Sequence, residues 1–204
     1  MISPETQGLM RVIGGDHSPP KSLFVGGCVR NMMMETSATD IDIATQYTPE
    51  EVTAMLQAEG IKVIPTGIDH GTVTAILKDT AYEITTLRTD MTTDGRRATV
   101  AFTDDWREDA QRRDFTINTL LCDLDGNIYD PTGQGLGDLK QRRIVFVGEP
   151  SARIAEDYLR ILRLFRFHAV YGEGAIDDAA LQACEEAAEN IQSLSRERIT
   201  QELL

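Results

Sequence analysis

The amino-acid sequence predicts an α+β domain followed by a segment made only of helices. Between residues 22 and 147, short runs rich in β-branched residues alternate with segments of helical periodicity. After Pro150 the strand pattern stops, and apolar residues recur every three or four positions, as on one face of a helix. These observations divide the chain into an α+β domain at 1–148 and a helical segment at 149–204.

Residue periodicity and turn signals divide these two parts into short elements. The predicted strands lie at 22–27, 39–45, 61–64, 72–78, 82–87 and 144–147, with a hairpin over 121–129. The predicted helices lie at 29–35, 48–59, 109–120, 150–171, 177–190 and 195–204. Residues 89–105 are polar and rich in Gly, Asp and Arg, which is typical of a mobile loop or a loose hairpin.

The composition is that of a globular protein. Hydrophobic residues make up 41% of the 204 positions and charged residues 26%, and no apolar run reaches the roughly 20 residues that cross a membrane. The N-terminal residues lack the basic and apolar regions of a signal peptide, and three scattered cysteines do not form the pattern of a disulfide framework or a zinc site. We therefore expect a cytoplasmic protein with no membrane partner and no disulfide partner.

The net charge of −13 at pH 7 argues against nucleic-acid binding over the whole surface, since such proteins carry a basic footprint. The charge is uneven, however. Residues 150–171 carry four arginines against two acidic side chains, whereas the residues on both sides are acidic. A single predicted helix is therefore the locally basic part of the chain.

Two carboxylates separated by one residue, Asp40 and Asp42, lie on the predicted strand 39–45. Side chains two positions apart project from one face of a strand, roughly 6.6 Å apart, and their charges repel unless a cation lies between them. Mg²⁺ suits such a pair because it takes carboxylate oxygens together with water and substrate phosphates. Glu83, on a later strand, is a candidate third carboxylate for in-line phosphoryl transfer. A solvated strand face is the alternative interpretation.

The glycine pair Gly26-Gly27 lies between a predicted strand and a predicted helix. Backbone N–H groups without side chains at a helix start can approach a triphosphate, and Arg30, one turn later, can bind a phosphate through two donors. A plain strand-to-helix turn is an equally good interpretation. The sequence contains neither the P-loop pattern nor the dinucleotide-binding glycine pattern.

Four charged residues recur every three positions in the basic segment: Asp157, Arg160, Arg163 and Arg166. This spacing predicts one slowly drifting stripe on a helix. A salt-bridge face accounts for Asp157 with Arg160 but not for three arginines against two acids. The other interpretation is a surface that recognises a base, in which a carboxylate accepts from an amino group and a guanidinium donates to a ring nitrogen or carbonyl.

The glycine and carboxylate patterns together are far more specific than either alone. The segment LFVGGCVRNMMMETSATDIDIAT at 23–45 resembles the opening signature of the class II tRNA nucleotidyltransferase and bacterial poly(A) polymerase family, within the polymerase-β-like nucleotidyltransferases. The later motifs of that family are matched in order by RRDFTIN at 112–118, YDP with GDL at 129–139, EDYLR at 156–160, and SRERI with EL at 195–203.

The resemblance implies a fold and a reaction. The fold is a polymerase-β-like nucleotidyltransferase head, a mixed β-sheet with flanking helices, followed by an all-helical neck. The reaction is metal-dependent extension of the 3′ end of tRNA with C, C and A from CTP and ATP. Asp40 and Asp42 would hold Mg²⁺, Glu83 would assist the 3′-hydroxyl, and the segment Gly26-Gly27 with Arg30 would hold phosphates.

The same resemblance implies how the nucleotide is selected. Asp157 and Arg160 would act as a protein template that pairs with CTP or ATP and rejects GTP and UTP, with Arg163 and Arg166 supporting the nucleotide or the primer end. Three further residues are implied at the nucleotide: Arg113 in contact with it, and Asp114 and Asn118 near its ribose. A surface or capping role is the alternative interpretation for these three.

Departures from the family pattern leave the activity within the family open. Asn31 replaces the usual Asp after Arg30, and we expect an amide there to hold Arg30 less firmly. The segment 65–77 lacks the basic, aromatic stretch of the poly(A) polymerases, which favours CCA addition or partial CC or A addition. The polar segment 89–105 favours the full CCA reaction. A non-catalytic nucleotide-binding or RNA-binding module is the alternative from another class. We expect the tRNA-binding body and tail of the family to follow Leu204.

Overall fold

The computed structural model describes residues 3–36, 40–78, 80–93 and 98–204. The strands are β1 (Ser22–Val25), β2 (Ile41–Thr45), β3 (Lys62–Gly67), β4 (Thr72–Leu77), β5 (Thr80–Thr86), β6 (Arg88–Thr93), β7 (Ala98–Phe102), β8 (Leu121–Cys122) and β9 (Ile128–Tyr129). The α-helices are α1 (Pro4–Val12), α2 (Gly27–Met33), α3 (Pro49–Ala58), α4 (Trp106–Gln111), α5 (Gly135–Lys140), α6 (Pro150–Glu156), α7 (Leu159–Tyr171), α8 (Asp178–Ala187) and α9 (Arg196–Leu203).

The described strands form a mixed seven-stranded sheet and a separate hairpin. The sheet order is β3-β4-β5-β2-β1-β8-β9, and β2 runs parallel to β5 while the other neighbours are antiparallel. The hairpin pairs β6 with β7. All elements after β9 are helical, so the predicted α+β fold with a helical C-terminal part is confirmed.

The alternation of side chains gives the sheet two different faces. On one face Phe24, Ile43 and Ile84 are buried in the main core against α1, α2 and α3. On the other face Val25 and Ala44 belong to a smaller apolar cluster. Since Asp42 lies two residues before Ala44 on the same strand, it projects from this second face, which the three helices do not cover.

Helix α1 was not predicted from the sequence, although its start signals are present. Ser3 caps the helix by accepting from the Thr6 backbone N–H, and Pro4 occupies the first turn. The helix is held to the sheet by a buried 3.0 Å hydrogen bond between the hydroxyls of Thr6 and Tyr82. A hydroxyl pair of this kind depends on packing that sequence periodicity does not reveal.

Three predicted elements are wrong. The helix expected at 109–120 is two pieces, α4 and a single 3₁₀ turn at Thr116–Asn118. The strand expected at 144–147 contributes one isolated bridge, between Phe115 and Phe146. The segment 109–120 is polar over its first half, and Asp114 accepts the Phe115 backbone N–H at 2.7 Å, which competes with helix formation. The segment 144–147 is apolar because it is largely buried, and burial produces apolar runs without a regular element.

The helix expected at 150–171 is also interrupted. Asp157 has extended backbone angles and separates α6 from α7, and its carboxylate accepts the Leu159 backbone N–H at 3.1 Å. An aspartate that bonds to its own backbone competes with helix formation. Asp157 therefore does not belong to the stripe on α7 that carries Arg160, Arg163 and Arg166. The hairpin alternative for 89–105 is confirmed in β6 and β7, while 94–97 and the predicted strand position 39 lie outside the described residues.

A row of aromatic rings joins the sheet domain to the helical part. The ring of Phe115 lies 4.9 Å from that of Phe146 and 5.1 Å from that of Phe167 on α7, measured between centroids. The Phe167 ring in turn lies 5.5 Å from that of Tyr171. These tilted contacts extend one apolar core from the sheet into α7.

We predict that Phe115→Ala destabilises the fold strongly. Phe115 is completely buried, so truncation leaves a cavity between the sheet domain and α7, and the free energy of unfolding should fall by about 3–5 kcal/mol. Phe165→Ala, on the exposed side of α7 at 44% exposure, is the matched control and should change stability by less than about 0.5 kcal/mol. Urea unfolding followed by circular dichroism measures both, and equal losses would contradict this account of the junction.

Candidate active site

A cavity of about 690 Å³ lies between β2, the start of α2, the 112–118 segment and α7. It is lined by all but one of the sequence-predicted site residues: Gly26, Gly27, Arg30, Asp40, Asp42, Arg113, Asp114, Asn118, Asp157, Arg160, Arg163 and Arg166. Five further residues that were not predicted line it as well: Arg112, Leu159, Phe167, Tyr171 and Arg198. The carboxylate pair therefore shares one cavity with Asp157 and Arg160.

Glu83 does not line this cavity, but it lies directly beside the carboxylate pair. Its strand runs parallel to β2, and Glu83 is paired in register with Asp42. Burial raises the pKa of Asp42, and the charges of Glu83 and Asp40 raise it further. The three carboxylates therefore repel one another through Asp42, and a cation at this position would remove the repulsion.

The donor set fits a hard divalent cation that keeps part of its own shell. Among the residues that the structure describes, no group of three or more Asp, Glu, His or Cys side chains forms a metal centre by itself. Mg²⁺ is held in many sites by one or two carboxylates, with water and substrate phosphates completing the octahedron. Asp40 and Asp42 together match that requirement.

The glycine turn leaves open backbone beside two guanidinium groups. Gly26 has a φ of +70°, which disfavours any residue with a side chain. A Cβ built on Gly26 would lie 3.6 Å from Nη1 of Arg113, and one built on Gly27 would lie 3.7 Å from Nη2 of Arg30. The start of α2 is thus flanked by two guanidinium groups, as an anion site requires.

Arg30 is held from several sides. It donates to the Asn118 side-chain oxygen at 2.5 Å, to the Tyr171 hydroxyl at 2.9 Å, and twice to the Asn31 side-chain oxygen at 3.0 and 3.1 Å. Its guanidinium also lies 4.0 Å from the centre of the Tyr171 ring. Asn31 therefore orients Arg30 through its amide oxygen in place of a carboxylate, and Arg30 links α2 to α7.

Asp114 and Asn118 form the floor of the cavity. Asn118 donates to Asp114 at 2.9 Å, and Arg163 binds the other oxygen of Asp114 through Nε at 2.8 Å and Nη2 at 2.6 Å. Burial raises the pKa of Asp114, but the charge of Arg163 and the hydrogen bonds from Asn118 and Arg163 outweigh it, so the pKa lies below its ordinary value. Asp114 is therefore ionised at neutral pH.

The two residues expected to read the base are occupied by other side chains. Asp157 accepts from Arg198 at 2.7 Å. Arg160 donates to Glu156 at 2.6 Å and to the backbone carbonyls of Arg153 and Arg112. A nucleotide base that pairs with Asp157 and Arg160 would have to displace these contacts or share them.

A buried glutamate that was not singled out from the sequence holds two cavity arginines together. Glu202 on α9 is 7% exposed and accepts from Arg166 at 2.6 Å and from Arg163 at 3.3 Å. Arg166 and Arg163 lie 36 and 39 positions before Glu202, so no local sequence pattern links them to it. The one signal in the sequence was the place of Glu202 in the EL pair of the last motif. Tyr171, which contacts Arg30, carried no signal in the sequence.

The mixed sheet, the carboxylate pair on the face opposite α1, α2 and α3, and the glycine turn before α2 define a polymerase-β-like nucleotidyltransferase head. The chain belongs to the family described as Poly A polymerase head domain, whose profile matches residues 22–145.

Named relatives and a solved structure agree with this assignment. The chain is 49% identical over 183 residues to the mitochondrial CCA tRNA nucleotidyltransferase 1 of Danio rerio, covering 88% of this chain and 42% of that protein. It is 46% identical over 182 residues to the CCA-adding enzyme of Oceanobacillus iheyensis, covering 88% and 44%. It superposes on the Bacillus stearothermophilus CCA-adding enzyme in complex with CTP with a TM-score of 0.84 and 35% identity, covering 99% of this chain and 48% of that chain.

The chain thus spans less than half the length of the curated relatives described here. In the part of the chain that the structure describes, no helix is both long and apolar enough to span a bilayer. Cys28, Cys122 and Cys184 are buried thiols.

We predict that Asp114→Asn destabilises the protein in a pH-dependent way. At pH 7 the variant removes the negative charge that pairs with the partly buried Arg163 and one of the two oxygens that accept hydrogen bonds, and the free energy of unfolding should fall by about 3 kcal/mol. Because the pKa of Asp114 is lowered by folding, its contribution is complete above the unfolded pKa of about 3.9 and is lost as the pH falls through the lower folded-state pKa.

Urea unfolding of wild type and variant at pH 7 and at about pH 3 measures this dependence. The difference between the two proteins should be smaller at the lower pH. Asp104→Asn, at an exposed aspartate, is the control and should have little effect at either pH. A difference that is unchanged by pH would contradict an ionic role for Asp114.

Proposed function

We propose that this chain is the catalytic head and the first part of the neck of a CCA-adding tRNA nucleotidyltransferase. The observation that carries the proposal is the single cavity in which Asp40 and Asp42 face the candidate base-reading pair, Asp157 and Arg160. The activity printed in the names of the relatives supports it. The substrates are CTP, ATP and the 3′ end of tRNA, and the head and neck are divided at 1–148 and 149–204.

The reaction is an in-line displacement at phosphorus. The terminal 3′-hydroxyl oxygen of the tRNA forms a bond to the α-phosphorus, the bond to the β-phosphate oxygen breaks, and pyrophosphate leaves with that electron pair. Asp40 and Asp42 are the residues that hold Mg²⁺, which when bound lowers the pKa of the 3′-hydroxyl and neutralises charge on the phosphates. Glu83, paired in register with Asp42, is assigned to receive the hydroxyl proton through water.

The arginines and glycines of the cavity position the triphosphate. The open backbone at Gly26 and Gly27, flanked by Arg113 and Arg30, accommodates the phosphates. Asp114, held by Arg163, and Asn118, which donates to Asp114, line the same cavity and are assigned to the ribose. Catalysis is mostly orientation and charge compensation, which this preorganised network supplies.

Base selection is assigned to Asp157 and Arg160. An ionised carboxylate accepts from the amino group that cytosine and adenine share, and a guanidinium donates to a ring nitrogen or carbonyl. Guanine and uracil present a carbonyl where the amino group is required, which leaves the carboxylate facing an acceptor. Arg163 and Arg166, held by Glu202, support the nucleotide or primer end from the same helix.

A non-catalytic module on this fold is disfavoured by the electrostatics of Asp42. Burial, Glu83 and Asp40 all raise its pKa, so the ionised carboxylate costs stability. A module that only bound nucleotide or RNA would not require this cost. The cytoplasmic location stays a prediction, and the Danio rerio relative is named as mitochondrial.

The test is single-nucleotide incorporation on a tRNA that lacks its CCA end, with each NTP offered separately and Mg²⁺ present or withheld. We expect metal-dependent addition of C and then A, with GTP and UTP refused. Long A tails would assign the protein to the poly(A) branch of the family, and addition of C alone or A alone would assign it to a partial activity. Arg160→Ala should reduce the preference for CTP over UTP.

We predict that Asp42→Asn separates catalysis from stability. The variant loses a metal ligand, and the incorporation rate should fall by about 1,000-fold. Because folding raises the pKa of Asp42, its charge destabilises the fold increasingly as the pH rises above the unfolded pKa of about 3.9. The melting temperature of Asp42→Asn at pH 7 should therefore be equal to or above that of wild type.

Quench-flow incorporation and thermal unfolding of the same preparations measure both effects. Asp69→Asn, at an exposed aspartate remote from the carboxylate pair, is the control and should change neither quantity. An Asp42→Asn variant with near-wild-type incorporation would contradict the proposed reaction.

A further inference from the structure

Asp109 lies next to the cavity without lining it, and it is almost completely buried at 2% exposure. It belongs to α4, four positions before Arg113 and three before Arg112. Its Oδ2 accepts from Nε and Nη2 of Arg113 at 3.1 and 2.8 Å. Its Oδ1 accepts from Nε and Nη2 of Arg112 at 2.9 and 2.6 Å. One buried carboxylate therefore holds two consecutive arginines, each through two donors.

This arrangement fixes the direction of the third nitrogen of Arg113. With Nε and Nη2 bound to Asp109, the planar guanidinium has its Nη1 on the side of Gly26, where a Cβ would approach it to 3.6 Å. The charge of Arg113 also lowers the pKa of Asp42, which indicates that it lies close to the carboxylate pair. Arg113 thus lies near both the glycine turn and the carboxylate pair.

The charge of Asp109 is stable at neutral pH. Burial raises its pKa, but the charges of Arg113 and Arg112 and their hydrogen bonds outweigh burial, so the pKa lies below its ordinary value. A buried carboxylate with this many charge-assisted hydrogen bonds is rigid, and it transmits that rigidity to its partners.

Asp109 also ties the arginines to the start of the β6–β7 hairpin. Its Oδ1 accepts the Arg88 backbone N–H at 3.3 Å, and Nε of Arg112 donates to the Arg88 carbonyl at 3.1 Å. The first residue of β6 is therefore bonded to both members of the Asp109–Arg112 pair. The hairpin and the arginines share one buried anchor.

We propose that Asp109 is a positioning residue for the triphosphate: it holds Arg113 so that Nη1 is directed at phosphate oxygens lying over the glycine turn. The inference rests on the proposed function, because it requires that the ligand of Arg113 is a nucleoside triphosphate. Asp109 itself touches neither the nucleotide nor the metal. Its effect passes through Arg113.

The first experiment is titration of the whole chain with CTP and with CMP in the presence of Mg²⁺, for wild type and Asp109→Asn. Asparagine keeps the shape but lacks the charge and one acceptor, so the CTP dissociation constant should rise about tenfold. The CMP dissociation constant should stay within about twofold, since CMP lacks the outer phosphates. Equal losses for CTP and CMP, or no loss for CTP, would overturn the proposal.

The matched control is Asp138→Asn. Asp138 is also a buried carboxylate that binds an arginine bidentately, Arg143, and it accepts from Thr116, but it does not line the cavity. We expect its substitution to lower the melting temperature without changing the ratio of the CTP and CMP dissociation constants. A matching change in that ratio would mean that general destabilisation accounts for the effect, and it would overturn the role of Asp109.

A double-mutant cycle with Arg113→Gln tests whether Asp109 acts through Arg113. In the Arg113→Gln background, adding Asp109→Asn should weaken CTP binding by less than twofold further, because the group to be positioned is already absent. Independent, multiplicative losses would overturn the proposal. Asp109→Glu keeps the charge at a longer reach, and it should still weaken CTP binding if Asp109→Asn does not fold.

CTP binding by the wild-type protein distinguishes a failure of the proposed function from a failure of the role of Asp109. Wild type that binds no CTP would overturn the proposed function and this inference with it. Wild type that binds CTP normally, with Asp109→Asn and Asp109→Glu binding equally well, would overturn the role of Asp109 and leave the proposed function standing.

Discussion

Compensation of positive charge by buried carboxylates is the constraint on which the cavity depends. Arginines crowd one cavity and repel one another, and several of them are held by an acid from another turn or another helix, whereas Arg30 is held by Asn31, Asn118 and Tyr171. Asp109 holds Arg113, Asp114 and Glu202 hold Arg163, and Glu202 also holds Arg166. Without these acids the guanidinium groups would be desolvated and unpaired, which costs several kcal/mol each. With them, a rigid array of donors is ready for a polyanion.

The carboxylate pair has the opposite electrostatic situation. Asp42 is close to Glu83 and Asp40, and its pKa is raised by burial and by both of them. The fold tolerates this repulsion where the pair lines the cavity, since a cation and a triphosphate can enter there. The cavity thus has one wall that requires cations and another that requires anions, and an NTP with its metal satisfies both walls at once.

The two walls come from different parts of the chain, so their distance depends on the junction between sheet domain and helices. Phe115 and Phe167 pack across that junction, and Arg30 spans it through Tyr171. A residue expected to bind phosphate therefore also connects α2 to α7. Because the same side chain contacts Asn118, a movement of α7 would reach the glycine turn and the ribose side of the cavity together.

The sequence by itself determined the fold class, the glycine turn and the strand that carries Asp40 and Asp42. Those features follow from local alternation, from glycine chemistry and from motifs whose order along the chain is specific. Nine of the twelve cavity-lining candidates follow from residue patterns as well as from the family resemblance, and only Arg113, Asp114 and Asn118 rest on the resemblance alone. The strand predicted at 144–147 was wrong because a buried apolar run looks alike whether or not it forms a regular element. The helix predicted at 109–120 was wrong because Asp114 bonds to the neighbouring backbone instead.

Only the tertiary structure decided what each charged residue is paired with. Local spacing placed Asp157 on a stripe with three arginines, but its backbone is extended and its partner is Arg198, 41 positions away. Glu202 binds two arginines on another helix. Asp109 binds Arg112 and Arg113, three and four positions later, and both of these arginines line the cavity. Ion pairs form over a few ångströms in space, whatever the separation of the two residues along the chain. The partners of these acidic residues could therefore be identified only from the packing of α4, α7 and α9.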